Sequence, residues 1–221
     1  MPAPIRILTA VPICDGHDSA INTINLEFIR QGIEVVYLGY HRSVCDIARA
    51  AIQEDVRAIG ISSYNGGHIE FFADVVKQLR KQGADDIKVF GGGGGTITHA
   101  DAVSMERKGV EKIFFAGTSL DEMAEYVRKN YGKPRGKRSR GKTRDIELAR
   151  RLTEIEEKAG RGAKKSTGSR QRSTSIPCVI GFTGPGGAGK TTLIDELVLR
   201  FLRQDPKVRI AILSHDPSVV G

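Results

Sequence analysis

No stretch of this 221-residue chain approaches the eighteen or so consecutive apolar residues that a membrane-crossing helix needs, so no membrane partner is expected. The amino terminus also lacks the layout of a secretory signal, since Met1 to Pro4 lead directly into a strand-like run. Cysteine is scarce. Cys14, Cys45 and Cys178 are scattered, odd in number and form no C-x-x-C pair. Free thiols in a reducing cytoplasm are the expected state. Aromatic residues are only 6% of the chain and are absent between Gly132 and Ser175. That segment holds 15 of the 34 Lys and Arg but only 5 of the 26 Asp and Glu, more than accounting for the net charge of +8. With no ring on which a base can stack, it reads as a solvated linker, and no nucleic-acid partner is expected.

What is present is ordinary for a soluble globular protein: 39% apolar and 27% charged residues. Residues 4 to 131 alternate strand-like and helix-like patterns. Strand signals run over Ile5–Val11, Glu34–Gly39, Ala58–Ser63, Ile87–Phe90 and Lys112–Phe115. Helical signals follow at Ser19–Gln31, Val44–Gln53, about Ile69–Gln82, near Ala100–Lys108, and Leu120–Tyr131. Five βα units predict a flavodoxin-like (Rossmann-like) doubly wound parallel sheet, because parallel crossovers are right-handed and need a helix. In such sheets ligands bind beyond the carboxyl ends of the strands, where the Asp15 loop, the Ser62 segment, the Gly91 run and the turn Ala116-Gly117-Thr118 all fall. The expected organisation is therefore a ligand-binding domain over 1–131 and a basic linker over 132–175, with a helical island at Ile146–Lys158 carrying Leu148, Leu152 and Ile155. Then comes the start of a second domain over 176–221. That last piece predicts strands at Cys178–Thr183 and Val208–Leu213 around a helix reaching about Arg203. About 45 residues cannot bury a core alone, so the chain reads as the amino-terminal part of something longer.

Two constellations carry chemistry. The first is Asp15-Gly16-His17, followed after Ala20 by 41 residues to Ser62-Ser63-Tyr64, and after Tyr64 by 26 residues to Gly91-Gly92. A metal-ligating imidazole needs a partner on its other nitrogen to fix tautomer and orientation, and Asp15 can supply one from the same loop. Glycine at 91 and 92 lets backbone approach a bulky ligand closely. His68 opens a helix after Gly66-Gly67, where a solvated or capping role competes with a cofactor contact. His41, His99 and His215 stand in no comparable pattern, and Cys14 reads as a small strand-end residue rather than a ligand.

The three-part spacing resembles the D-x-H-x-x-G…S-x-L…G-G signature of domains that bind cobalamin with a protein histidine as lower cobalt ligand. Two positions depart from it, Ala20 for the last glycine of the first motif and Tyr64 for the leucine of the second. Both departures, with D-G-H-D-x-A-I from Asp15 to Ile21, S-S-Y-x-G-G-H from Ser62 to His68 and five glycines at Gly91–Gly95, resemble the fused acyl-CoA mutases related to isobutyryl-CoA mutase. The resemblance implies His17 on cobalt and Ser62 bonded to the displaced base of the cofactor's nucleotide tail. It also implies room for that tail at Gly91 and Gly92, with Tyr64 and Gly117 beside the cofactor.

The second constellation, Gly184-Pro-Gly-Gly-Ala-Gly-Lys-Thr191, satisfies G-x-x-x-x-G-K-[ST] before a predicted helix. Backbone N–H groups from Gly184, Gly187, Ala188 and Gly189 cradle phosphates in such loops, Lys190 reaches the β- and γ-phosphates, and the Thr191 hydroxyl, next to Thr192, binds Mg²⁺. Asp216 is a candidate Mg²⁺ contact because its Asp-Pro-Ser setting resembles the switch region of G-protein chaperones that service cobalamin mutases; a plain Asp-Pro turn is the competing reading. GTP rather than ATP follows only from the resemblance.

The expected protein is thus the amino-terminal part of an adenosylcobalamin-dependent isomerase converting isobutyryl-CoA to n-butyryl-CoA, with a fused GTPase. Its acyl-CoA would bind a downstream domain, and the full-length protein would be a cytoplasmic homodimer. No catalytic residue is assigned within this chain. A non-catalytic cobalamin carrier or sensor coupled to a nucleotide switch is the competing class.

Overall fold

The computed structural model of the protein describes residues 5–17, 19–133, 143–160 and 178–213. Five parallel strands form one sheet: β1 (Ile5–Pro12), β2 (Ile33–Arg42), β3 (Ala58–Ser62), β4 (Lys88–Gly92) and β5 (Lys112–Phe114). Their spatial order is β2-β1-β3-β4-β5. Between them run α1 (Ser19–Arg30), α2 (Val44–Gln53), α3 (His68–Gln82) and α4 (His99–Arg107), and α5 (Leu120–Tyr131) follows β5. The doubly wound sheet predicted from the alternation is the one that forms.

Strand residues alternate between two apolar layers, as a sheet covered on both faces requires. Leu8, Ile59, Val89 and Ile113 pack with Ile47, Phe72, Val75 and Met105 on the side of α2, α3 and α4. Ile7, Ala58, Phe90 and Phe114 pack with Phe28, Ala124, Val127 and Tyr131 on the side of α1 and α5. Helix starts are set by side-chain caps. Ser43 and Ser119 accept from the backbone of Asp46 and Glu122, and Thr98 forms a reciprocal capping box with Asp101. The chain leaves β1 for the edge strand β2, then returns across β1 to β3. The order therefore reverses between β1 and β3, and a ligand crevice is expected beyond their carboxyl ends.

The helical island is α6 (Arg144–Gly160), and it is anchored. Ile146 (2% exposed) joins the α2/α3 layer and Ala149 is buried, whereas Leu148, Leu152 and Ile155, the apolar positions singled out from sequence, are at least half exposed. Arg6 Nε donates to Glu34 at 2.6 Å and its Nη2 to Glu156 at 2.9 Å, and Arg150 donates to Asp86 at 2.9 Å, tying α6 to the sheet domain. The described residues fall into two compact units, with α6 in the first. The expected tether at Arg161–Ser175 lies outside the described residues.

The second unit contains the P-loop and α7 (Lys190–Gln204), which buries none of its residues. The strands expected at Cys178–Thr183 and Val208–Leu213 do not form among the described residues. A strand exists only as a hydrogen-bonded ladder, and neither segment finds a partner here, so Val179, Ile180, Ile212 and Leu213 stay exposed. All three cysteines are free thiols.

Candidate functional site

The loop after β1 places Asp15 and His17 over the switch point. Asp15 is fully buried, and His17 is two-thirds exposed at its side chain. One Asp15 oxygen accepts from the His17 backbone N–H at 3.0 Å and from ring Nδ1 at 2.8 Å. The other accepts from the backbone N–H of Tyr64, just past β3. Burial pushes the Asp15 carboxyl up, but the backbone hydrogen bonds from His17 and Tyr64 and the bond to the His17 ring outweigh it. The group is held below the ordinary carboxylate range. An ionised carboxylate only accepts, so Nδ1 of the neutral ring carries the proton and Nε2 presents its lone pair outward. Asn65 Nδ2 donates to the Cys14 carbonyl, joining the same two loops again.

Behind this pair, a cavity of about 150 Å³ lies between the sheet and the α1/α5 layer. Ser62, Tyr64, Gly91, Gly92 and Gly117 all line it, so the structure brings together the predicted residues of three separate segments. The wall is largely apolar and includes Phe28, Phe90, Phe114 and Phe115, with the Tyr64 ring standing 5.7 Å from that of His17. Gly117 has φ +91 in the turn closed by the Thr118 N–H on the Phe115 carbonyl. The first four glycines of the five-glycine run are packed. A Cβ on Gly91 would stand 2.2 Å from the Ile61 carbonyl oxygen, and one on Gly93 2.0 Å from that of Ser63. His68 lies outside the lining; it bridges α3 to α4 with Nε2 3.5 Å from Asp101.

Thr9 was not legible as a site residue. It is fully buried in β1 and lines the cavity, and its hydroxyl has no protein hydrogen-bond partner. A polar residue in the apolar run Ile7–Val11 is the only sequence signal it gives, because its place facing the cavity depends on register with Gly60 of β3.

In the second unit, Gly187 and Gly189 take φ +75 and +74, and Gly189 caps α7 so that Lys190 is its first residue. Lys190 Nζ donates to the carbonyls of Gly184 (2.8 Å) and Pro185 (2.7 Å). Ala188 N–H turns back on Pro185, and Thr191 and Thr192 are exposed on the first turn of α7. Asp216 lies outside the described residues.

The donor set decides what metal chemistry fits the first site. Among the described residues no group of three His, Cys, Asp or Glu side chains could cage a free ion. A single oriented imidazole suits a metal whose remaining positions are filled by a macrocycle. The adjoining apolar cavity, lined by several aromatic rings and by hydroxyl-bearing residues that include Ser62 and the unpaired Thr9, suits an aromatic group carrying polar atoms. A tailed corrin meets both requirements.

The comparisons agree with that geometry. The B12 binding domain family matches residues 5–124, and the methylmalonyl-CoA mutase-associated GTPase MeaB family matches residues 148–220. Fused isobutyryl-CoA mutases of Geobacillus kaustophilus and Cupriavidus metallidurans are 36% and 37% identical over 97% of this chain, which spans 21% of their length. The 2-hydroxyisobutanoyl-CoA mutase small subunit of Aquincola tertiaricarbonis is 31% identical over 57% of this chain and 90% of its own. In fold, a cobalamin-binding protein from Desulfitobacterium hafniense superposes with a TM-score of 0.50 and 20% identity, covering 57% of this chain and 58% of that one. With a family match over more than half its length, and a cavity and histidine loop of the matching chemistry, the chain belongs to the B12-binding domain family.

Proposed function

We propose that this chain is the cofactor-loading part of an adenosylcobalamin-dependent acyl-CoA mutase that rearranges isobutyryl-CoA to n-butyryl-CoA and carries a fused GTPase. His17 Nε2 is the lower cobalt ligand, and Asp15 fixes its tautomer and raises its basicity. Ser62 and Thr9 offer hydroxyls to the nucleotide tail, Gly91 and Gly92 line its cavity, and Tyr64 and Gly117 close the cavity mouth. The cofactor supplies homolysis of its cobalt–carbon bond. The protein supplies orientation and exclusion of water. Gly184, Gly187, Ala188 and Gly189 cradle the phosphates of GTP. Lys190 must exchange its bonds to the Gly184 and Pro185 carbonyls for phosphate oxygens, and Thr191 and Asp216 hold Mg²⁺ beside Thr192. Residues 1–131 form the cobalamin domain, 132–175 connect it through α6, and 176–221 begin the GTPase in a cytoplasmic homodimer. The acyl-CoA is carried by a further domain.

The observation carrying this reading is the Asp15–His17 pair, bonded through the Tyr64 backbone N–H to the loop that lines a cavity holding the unpaired Thr9 hydroxyl. A cobalamin carrier or sensor coupled to a nucleotide switch is the competing reading. Titration with adenosylcobalamin, followed by absorption spectroscopy, tests the reading. Wild type should bind with the tail base displaced and histidine in its place. His17→Ala should weaken binding beyond the roughly 10–100-fold typical of losing a ligand's supporting hydrogen bond. Unchanged affinity and spectrum in the variant would refute it.

A further inference from the structure

The loop bearing His17 leaves β1, which has β2 on one side and β3 on the other. On the β3 side it is fastened by Asp15 to the Tyr64 backbone and by Asn65 to the Cys14 carbonyl. On the β2 side it is met by His41. His41 Nδ1 lies 2.9 Å from the Ile13 carbonyl oxygen, at the first residue of the loop. A carbonyl only accepts, so Nδ1 carries the proton and donates. The ring also covers Gly16, whose Cβ position would stand 4.0 Å from His41 Cε1, and Tyr40 packs edge-on against it at 4.9 Å.

Reaching that position distorts the strand. The β1–β2 register runs Thr9 to Tyr37, Ala10 to Gly39 and Pro12 to Arg42, so β2 gains one residue at each of two points. Each extra residue reverses which face the following side chains occupy. His41 itself sits at φ +57. The other non-glycine residue with positive φ among the described residues, Asp55, lies in the turn between α2 and β3, where such values are ordinary; His41 lies inside a strand. Backbone strain of this kind persists only where the surroundings impose it, and it gathers at functional sites.

We propose that His41 is a positioning residue for the cobalt ligand. It clamps the β2 flank of the loop as Asp15 and Asn65 clamp the β3 flank, so that His17 is held in one place before the cofactor arrives. The proposal rests on His17 as lower ligand. It has no sequence signature, because the bulges that turn His41 toward the loop are tertiary.

The test compares two variants of the full chain by adenosylcobalamin titration, absorption spectrum and melting temperature. His41→Gly removes the donor and relieves the strained φ. Ligand-free melting should not fall, affinity should drop about five- to tenfold, the loss expected for one hydrogen bond, and less of the bound cofactor should be histidine-ligated. His41→Asn tolerates positive φ and brings an amide N–H toward the same carbonyl, so it should restore most of the affinity and spectrum. Wild-type binding and spectrum in His41→Gly would overturn the proposal. So would a loss that tracks a lower melting temperature and is not rescued by Asn. If His41→Gly does not fold, His41→Asp tolerates positive φ and puts an acceptor where the donor stood, and should show the same weakened binding. A parallel His17→Ala titration separates the two ideas. If that variant still shows histidine-ligated cofactor, the ligand assignment fails; if it does not while His41→Gly binds normally, only the clamp fails.

Discussion

The two glycine-rich loops of this chain use glycine for different physical reasons. At Gly91, Gly92 and Gly93 an added Cβ would stand 2.2, 2.7 and 2.0 Å from the backbone oxygens of Ile61, Phe114 and Ser63. There glycine lets the protein approach itself, and the loop is packed. At Gly186, Gly187 and Gly189 a Cβ would meet nothing within 4 Å, and the last two need glycine for their φ of +75 and +74. On the proposed phosphate-binding reading, glycine there lets the backbone turn its N–H groups toward an anion. The same composition builds a wall in one unit and a cradle in the other.

The largest effect that can break this contrast is on stability. Gly93→Ala should destabilise the sheet domain by about 3 kcal/mol, since the clash is with backbone that cannot move aside, whereas Gly186→Ala should change stability by less than about 0.5 kcal/mol. Thermal unfolding of the two variants checks it; equal effects would mean the first run is not packed. Next comes the loop that faces the packed wall. Asp15→Asn keeps the shape but loses the carboxylate that holds Nδ1–H, and should weaken adenosylcobalamin about 10–100-fold without altering nucleotide binding at the P-loop.

A smaller and two-signed effect is expected at Thr9. Thr9→Val removes an unpaired buried hydroxyl and should stabilise the ligand-free protein by about 1 kcal/mol. It should also weaken cobalamin about fivefold while leaving cobinamide, which lacks the nucleotide tail, unaffected. Equal changes for both ligands would place the hydroxyl outside the tail site. The smallest effect is on pH dependence. Asp15 is held below its unfolded value of about 3.9, so its contribution to stability is present above about pH 5 and is lost as pH falls toward its folded value. The melting temperature of wild type should therefore fall more steeply below pH 5 than that of Asp15→Asn.

Much of the fold was legible because local signals and packing agree. The bounds of α2 and α5 match the sequence reading to the residue, since Ser43 and Ser119 cap them and their apolar faces meet the sheet. Asp15, His17, Ser62 and the glycines were legible as a spacing, and the reversal of strand order between β1 and β3 explains why residues so far apart share one crevice. What stayed hidden is tertiary. Neither the β2 bulges nor the Thr9 cavity position alters local propensity. The α6 sequence carries the apolar stripe Leu148, Leu152 and Ile155, but the helix docks through Ile146 and Ala149, with Arg150 reaching Asp86. A helix with two apolar stripes does not say which one meets its neighbour. The strands at 178–183 and 208–213 were expected from apolar runs alone, and apolar runs do not form strands without a ladder partner.

The central claim is that His17 replaces the cofactor's own base on cobalt. Electron paramagnetic resonance of the protein loaded with cob(II)alamin reads the axial nitrogen directly, because a single ¹⁴N splits each cobalt line into a triplet and ¹⁵N into a doublet. With protein labelled by ¹⁵N-histidine and unlabelled cofactor, doublets should appear in the wild type and vanish in His17→Ala. Triplets persisting in the labelled wild type would show that the cofactor's base stays on the metal and would contradict the account.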